Sequence, residues 1–146
     1  MGERDSEAAD LCAVLSGEDM LGSAVELARD FAQRFDLASA DEARLCILVE
    51  ELAANLADHG TPGPTPATLA LARLPGCIRI VLTDSGAPFD PRAAPAEPRP
   101  QARGGGAGLA IVRAWGRIAD YRQEGGGNRL EVHLPLTAGP DRPEAR

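Results

Sequence analysis

Residues 48–60 read LVEELAANLADHG, and their apolar positions have the spacing of a helix with one buried face. The same stripe begins one turn earlier, and the expected core residues are Leu45, Leu48, Val49, Leu52 and Leu56. Ser39 is a candidate N-cap, with Glu42 three residues on completing a capping box. Gly60 and the proline-rich segment after it end the pattern. We therefore expect a helix from Ser39 to about Asp58.

Three polar residues follow the edge of this apolar stripe. Glu51, Asn55 and His59 are each four residues apart, so they line up along the helix, whereas Glu50 points nearly opposite the core. Asparagine is a mediocre helix former, which makes Asn55 unusual in a helix interior. A carboxylate and a carboxamide one turn apart can bind an oxygen-preferring cation or orient a nucleophile. The alternative is a solvated glutamate beside an asparagine without a role.

A second motif follows a predicted β-hairpin. The segments ATLALARL (67–74) and CIRIVLTD (77–84) are strand-like and are separated by a Pro-Gly pair. Asp84 ends the second strand, and Gly86 follows it in the sequence DSGAPFDP. An aspartate in this position can accept a hydrogen bond from a ligand amino group, and the glycine allows close backbone approach. A plain β-turn is the alternative.

The third motif is the glycine-rich stretch GGGAGL, residues 104–109, which runs into an apolar helix predicted to end near Gly116. Free backbone N–H groups and the positive end of the helix dipole make such a junction a potential anion site. A flexible loop is the alternative. It is not a dinucleotide-binding fingerprint, since no strand immediately precedes it.

Strands are predicted next to one another rather than in strict alternation with helices, which favours the α+β class. We expect a two-layer α/β sandwich in which helices cover one face of a mixed, mostly antiparallel sheet. One domain is expected over residues 10–136, with flexible tails at 1–9 and 137–146. The other elements are a strand at 11–15, a helix from Asp19 or Ser23 to Phe35, and a hairpin of 118–124 with 128–136.

The composition excludes several functions. All 15 basic residues are arginine, so neither a Walker A loop nor Schiff-base chemistry is available. A net charge of −7 argues against a nucleic-acid surface, and no apolar run is long enough for a membrane span. Cys12, Cys46 and Cys77 are far apart and are expected to be buried free thiols rather than a metal or redox site. We expect a soluble protein of a reducing cytoplasm.

In this order, the three motifs resemble those of the GHKL superfamily of ATPases, which have histidine-kinase-like ATP-binding domains. The chain is most similar to the anti-sigma-factor serine/threonine kinases of bacterial partner-switching systems. The family's N box is matched by Glu51, Asn55, His59 and Gly60. Its first glycine box is matched by Asp84, Gly86, Phe89 and Pro91, and its second by Gly105, Gly106, Gly108 and Leu109. The strand position where larger members often carry a threonine is near Asn128.

The resemblance implies a Bergerat-type ATP-binding fold and a role for each matched residue. Asn55 would coordinate the Mg²⁺ that bridges the ATP phosphates, and Glu51 would be the general base toward a substrate hydroxyl. Asp84 would accept a hydrogen bond from the adenine amino group. The remaining residues implied in nucleotide binding are His59, Gly86, Phe89, Gly105, Gly106, Ala107, Gly108, Leu109 and one lid arginine, either Arg99 or Arg103.

The function implied by the resemblance is that of an ATP-dependent protein serine/threonine kinase and anti-sigma factor. Its substrate would be a STAS-domain anti-sigma-factor antagonist, and a sigma factor is a further candidate partner. Relatives often dimerise, so a homodimer is a candidate assembly. The alternative is a non-catalytic ATP-binding switch protein that sequesters a sigma factor or another regulator. Glu51 favours the kinase, because a pure binder has no need of a general base.

Overall fold

The computed structural model describes residues 9–15, 19–59, 66–86, 114–124 and 126–137. These residues form two long helices and five strands, as the α+β class predicts. Their bounds are β1 Leu11–Leu15, α1 Met20–Arg34, α2 Ser39–His59, β2 Ala67–Leu74, β3 Cys77–Asp84, β4 Arg117–Glu124 and β5 Gly127–Pro135. Both predicted hairpins are confirmed, and the first two predicted helices and the first strand are found within a few residues of their expected ends. The predicted third helix lies almost wholly outside the described residues.

The five strands form one sheet in the order β1-β2-β3-β5-β4. We expected a mixed, mostly antiparallel sheet, and every pairing among the described strands is antiparallel. Gly76 and Gly126 lie in the turns of the two hairpins with φ of 77° and 83°. This left-handed conformation suits glycine, which has no Cβ to clash with the following carbonyl. Turn chemistry therefore explains where both hairpins reverse.

The helices cover one face of the sheet, called here the inner face. Alternate residues of β2, β3 and β5 point into a core shared with α1 and α2, as the two-residue period of a strand requires. The predicted stripe of α2 is confirmed as buried, with Leu56 packed at its margin. The largest fully buried side chains of this core include Phe31, Leu45, Leu48, Leu69, Leu71, Ile78, Ile80, Val132 and Leu134.

The first turn of α2 is tied to the end of β5. The Glu42 N–H donates to the carbonyl of Ala38 at 2.9 Å, so Ala38 rather than Ser39 occupies the cap position and the predicted capping box is wrong. The side chain of Asp41 is instead the main polar anchor. It is 1% exposed and accepts hydrogen bonds from the Arg44 guanidinium and from the N–H and hydroxyl of Thr137, at 2.8–3.0 Å.

The opposite, outer face of the sheet carries a charged cluster that we did not predict. Glu131 accepts hydrogen bonds from Nη1 of Arg129 at 3.2 Å and from Nε2 of His133 at 2.7 Å. Burial alone would raise the pKa of Glu131, but these hydrogen bonds outweigh it and hold the pKa below its usual value. A cavity of about 200 Å³ lies beside the cluster, with Arg79 and Val81 among its lining residues.

The three cysteines are free thiols, as expected, but their predicted burial is only partly right. Cys46 and Cys77 are half-buried, whereas Cys12 is exposed. Cys12 lies between Leu11 and Ala13, which pack against the core, so strand alternation turns it to the outer face. Within the described part of the chain, histidine, cysteine and acidic side chains do not gather into a metal-binding cluster. In the same residues, no helix has the length and apolar character needed to cross a membrane.

Candidate functional site

Helix α2 separates its two adjacent glutamates as its periodicity predicts. Glu50 is exposed, Glu51 is half-buried, and Asn55 is only 6% exposed. Glu51 and Asn55 therefore share the margin of the buried stripe, one helical turn apart. His59 is the last residue of the helix, and its side chain lies outside the described part of the structure. The expected placement of Glu51 and Asn55 on one edge of the helix is confirmed, while the roles of the two residues remain predictions.

The carboxamide of Asn55 carries an unusual buried group. Its Nδ2 is shielded from solvent and has no hydrogen-bond partner among the described residues. A buried donor without a partner costs roughly 1–3 kcal/mol, so it is rare unless a ligand or water completes it. A carboxamide oxygen is a suitable ligand for Mg²⁺, and the amide N–H beside it can donate to a water or a phosphate oxygen. The chemistry of Asn55 therefore fits a site for Mg²⁺ and a nucleotide.

A second polar group is organised at the end of β3. Oδ1 of Asp84 accepts a hydrogen bond from the N–H of Gly86 at 2.7 Å, which closes a tight turn. The same oxygen accepts from Nδ2 of Asn128 at 3.0 Å. That amide also donates to the carbonyl of Gly86 at 3.3 Å, and its oxygen accepts from the hydroxyl of Tyr121. Asp84 is thus held from two sides.

Close backbone packing supports this turn. Gly127 opens β5, and a Cβ built there would lie 2.0 Å from the Asp84 carbonyl oxygen and 2.9 Å from Cα of Ser85. Real side chains do not approach backbone atoms so closely, so the position requires a glycine. Asp84 and Asn128 are register partners in the pairing of β3 with β5. The start of β5 therefore forms one wall of the Asp84 turn.

Each of the two polar groups lies at the end of its element that is farther from the anchor of α2. The anchor of α2 on Pro135 and Thr137 lies where β3 begins, because Cys77 pairs with Pro135. Asp84 lies at the other end of β3. Glu51 and Asn55 belong to the half of α2 that is farther from the anchor.

Several predicted site residues fall outside the described residues, together with most of the third helix. They are Phe89, Arg99, Arg103, Gly105, Gly106, Ala107, Gly108 and Leu109. Conversely, Tyr121 was missed, and Asn128 was noted only as a departure from the family. The proximity of Asn128 to Asp84 follows from the β3–β5 register, which a single sequence does not reveal. An asparagine at the start of a predicted strand was the available signal in the sequence.

The chain belongs to the histidine kinase-like ATPase domain family, whose sequence model matches residues 17–134. This confirms the superfamily suggested by the three motifs. No protein of curated function is similar to the chain at a significant level.

The chain is also similar to solved structures at low sequence identity. A chain of the SiaB–SiaC complex from Pseudomonas aeruginosa is 14% identical, with a TM-score of 0.54 over 92% of this chain and 96% of that one. The blue-light activated histidine kinase of Erythrobacter litoralis EL346 is 16% identical, with a TM-score of 0.49 over 76% of this chain. This chain spans about a third of that kinase, 34% of its length. Its separate histidine kinase domain gives a TM-score of 0.46.

Proposed function

We propose that the protein is an ATP-dependent protein serine/threonine kinase of a partner-switching pathway. The observation that carries the proposal is the pair on α2, where half-buried Glu51 lies one turn from buried Asn55. Within the described part of the chain, Nδ2 of Asn55 is unpaired. The chain belongs to an ATPase family, and this supports ATP as the nucleotide. Phosphoryl transfer depends on positioning and on charge neutralisation more than on covalent chemistry, and a rigid helix edge supports both.

In this mechanism Asn55 would hold Mg²⁺, which supplies charge neutralisation on the ATP phosphates. Glu51 would accept the proton of the substrate serine or threonine hydroxyl as that oxygen bonds to the γ-phosphorus. The bond from the γ-phosphorus to the β,γ-bridging oxygen breaks at the same time, and ADP is the leaving group. Asp84 would accept a hydrogen bond from the adenine amino group and so fix the base. An arginine, Arg99 or Arg103, would contact the γ-phosphate in place of the lysine that the chain lacks.

The proposed substrate is a STAS-type anti-sigma-factor antagonist, and we further propose that the protein sequesters a sigma factor when the antagonist is phosphorylated. The support is the ordered set of motifs shared with the anti-sigma-factor kinases. An acidic chain, with a net charge of −7, is also suited to a partner with a basic surface.

The test uses γ-labelled ATP, Mg²⁺ and a purified STAS-type anti-sigma-factor antagonist as the candidate substrate. We expect the wild type to transfer label to the STAS protein. Removing a general base lowers rates by about 10²–10⁴-fold, so Glu51→Ala should reduce transfer at least a hundred-fold. Glu50→Ala is the matched control, since that side chain is adjacent but exposed, and it should stay within about two-fold of the wild type.

Nucleotide affinity measured on the same proteins separates the alternatives. Glu51→Ala should still bind ATP, because the base acts on the protein substrate. A wild type that binds ATP without transferring label would contradict the kinase and support a non-catalytic switch. Equal loss of transfer in the Glu50 and Glu51 variants would contradict the role assigned to Glu51.

A further inference from the structure

We propose that Asn128, held in place by Tyr121, is a positioning residue that makes Asp84 selective for a purine with a 6-amino group. The inference rests on the proposed use of ATP and concerns how the base is recognised. Neither residue belongs to the three sequence motifs. Both are contributed by the second hairpin, which pairs with β3 through β5.

The acceptors Asp84 and Gly86 fix which way the Asn128 amide points, and the Tyr121 hydroxyl holds the amide oxygen on the other side. Tyr121 and Asn128 are diagonal neighbours across the β4–β5 ladder, since the register partner of Asn128 is Gln123, two residues beyond Tyr121. The hydroxyl donates to Oδ1 of Asn128, and Nδ2 faces Asp84 and the carbonyl of Gly86. The reverse orientation would place an amide oxygen against two acceptors, which is unfavourable. Asn128 is 7% exposed, so water does not compensate a reversed amide.

The orientation of Asn128 in turn determines which part of the Asp84 carboxylate remains for a ligand. Oδ1 accepts from Gly86 N–H and from Asn128 Nδ2, which uses both of its lone-pair directions. Within the described residues Oδ2 accepts no hydrogen bond, although the side chain is only half-buried. The carboxylate therefore offers a ligand one well-oriented acceptor rather than a freely rotating pair.

A single fixed acceptor discriminates between purines by what they carry at carbon 6. An amino group donates to Oδ2, whereas a 6-oxo group would place a carbonyl oxygen against a carboxylate oxygen. Sites that hydrogen-bond a specific donor discriminate strongly, because a ligand without the donor leaves the acceptor unpaired. If Asn128 were lost, the Asp84 carboxylate could rotate. The preference for a 6-amino purine would then fall more than the affinity for purine nucleotides in general.

The experiment compares the affinity of ATP with that of purine riboside triphosphate, which lacks the 6-amino group, by calorimetric titration. The wild type should favour ATP at least ten-fold. Asn128→Ala is expected to lower this ratio about ten-fold and Tyr121→Phe about three-fold, with binding of the purine analogue unchanged within two-fold. The double variant should equal Asn128→Ala, because Tyr121 acts through Asn128. Gln123→Ala, an exposed register partner, is the control and should keep the wild-type ratio.

A structural role for Asn128 would give a different pattern. Both nucleotides would then weaken by the same factor in the variants, and this would overturn the inference. Tyr121→Phe keeps the ring that packs against the core, so it remains informative if Asn128→Ala unfolds. A wild type that favours ATP, combined with variants of unchanged ratio, would overturn this inference but leave ATP binding intact. A wild type that binds neither nucleotide would overturn the proposed function itself.

Discussion

Replacing Gly127 by alanine tests whether the start of β5 shapes the Asp84 turn. The new Cβ would lie 2.0 Å from the Asp84 carbonyl oxygen and 3.0 Å from the carbonyl carbon. These are backbone atoms and cannot rotate away, so the turn or the strand has to move by about 1 Å to reach ordinary contact. Overpacking of this kind costs roughly 1–3 kcal/mol of unfolding free energy.

The same displacement should weaken nucleotide binding. A hydrogen bond to a charged acceptor contributes about 1.5–3 kcal/mol, and a shift of about 1 Å in Asp84 removes most of it. We therefore expect ATP affinity to fall roughly ten- to hundred-fold in Gly127→Ala. The free energy of unfolding is measured by urea denaturation, and affinity by calorimetric titration with ATP.

Gly126→Ala is the matched control one residue away. Gly126 has a positive φ of 83° but open space around the position of a Cβ, so the substitution strains the backbone without touching Asp84. A left-handed alanine costs about 1–2 kcal/mol, so stability should fall while ATP affinity stays within two-fold. Equal affinities for the two variants would refute the reasoning, as would a Gly127→Ala protein with wild-type stability.

Two further outcomes are expected. Burial raises the pKa of Asp41, but hydrogen bonds led by that from Arg44 outweigh burial and hold the pKa below its usual value. The carboxylate therefore stabilises the fold at pH values above its unfolded pKa. This contribution is lost as pH falls through its folded pKa. Asp41→Asn should therefore flatten the loss of stability seen below about pH 4 in acid-unfolding curves; an unchanged profile would contradict the assignment. Burial also raises the pKa of the Cys46 and Cys77 thiols, so a maleimide at pH 7 should label exposed Cys12 first, as peptide mass spectrometry would show, and preferential labelling of either other thiol would contradict this order.

Local patterns in the sequence were sufficient for the described helices and strands and for the placement of Glu51 and Asn55 on one edge of α2. The spacing of LVEELAANL separated Glu51 from Glu50, because helix geometry depends only on positions within the segment. The Pro75-Gly76 pair located the first hairpin for the same reason. The N-cap was misplaced by one residue. The anchor at Asp41 was missed, since its partner Thr137 lies far along the chain.

What was missed depends on strand register. The contact of Asn128 with Asp84 and the cluster of Glu131 with His133 both lie on β5, one on each face. Alternation along NRLEVHL indicates two faces, but it does not say which strands flank them. The order β3-β5-β4 reverses the last two strands relative to the chain, and no local pattern encodes that choice.

The bond between Asn128 and Asp84 also has a consequence for how the protein folds. It joins residues 44 positions apart, whereas β2–β3 and β4–β5 are hairpins of near neighbours. Local hairpins form in microseconds, while pairing of distant segments must first overcome loop-closure entropy. The docking of the two hairpins along β3 and β5 is therefore expected to be the late step. A nucleotide that needs an oriented Asp84 would bind only after this docking, and by mass action it would favour chains with a completed sheet.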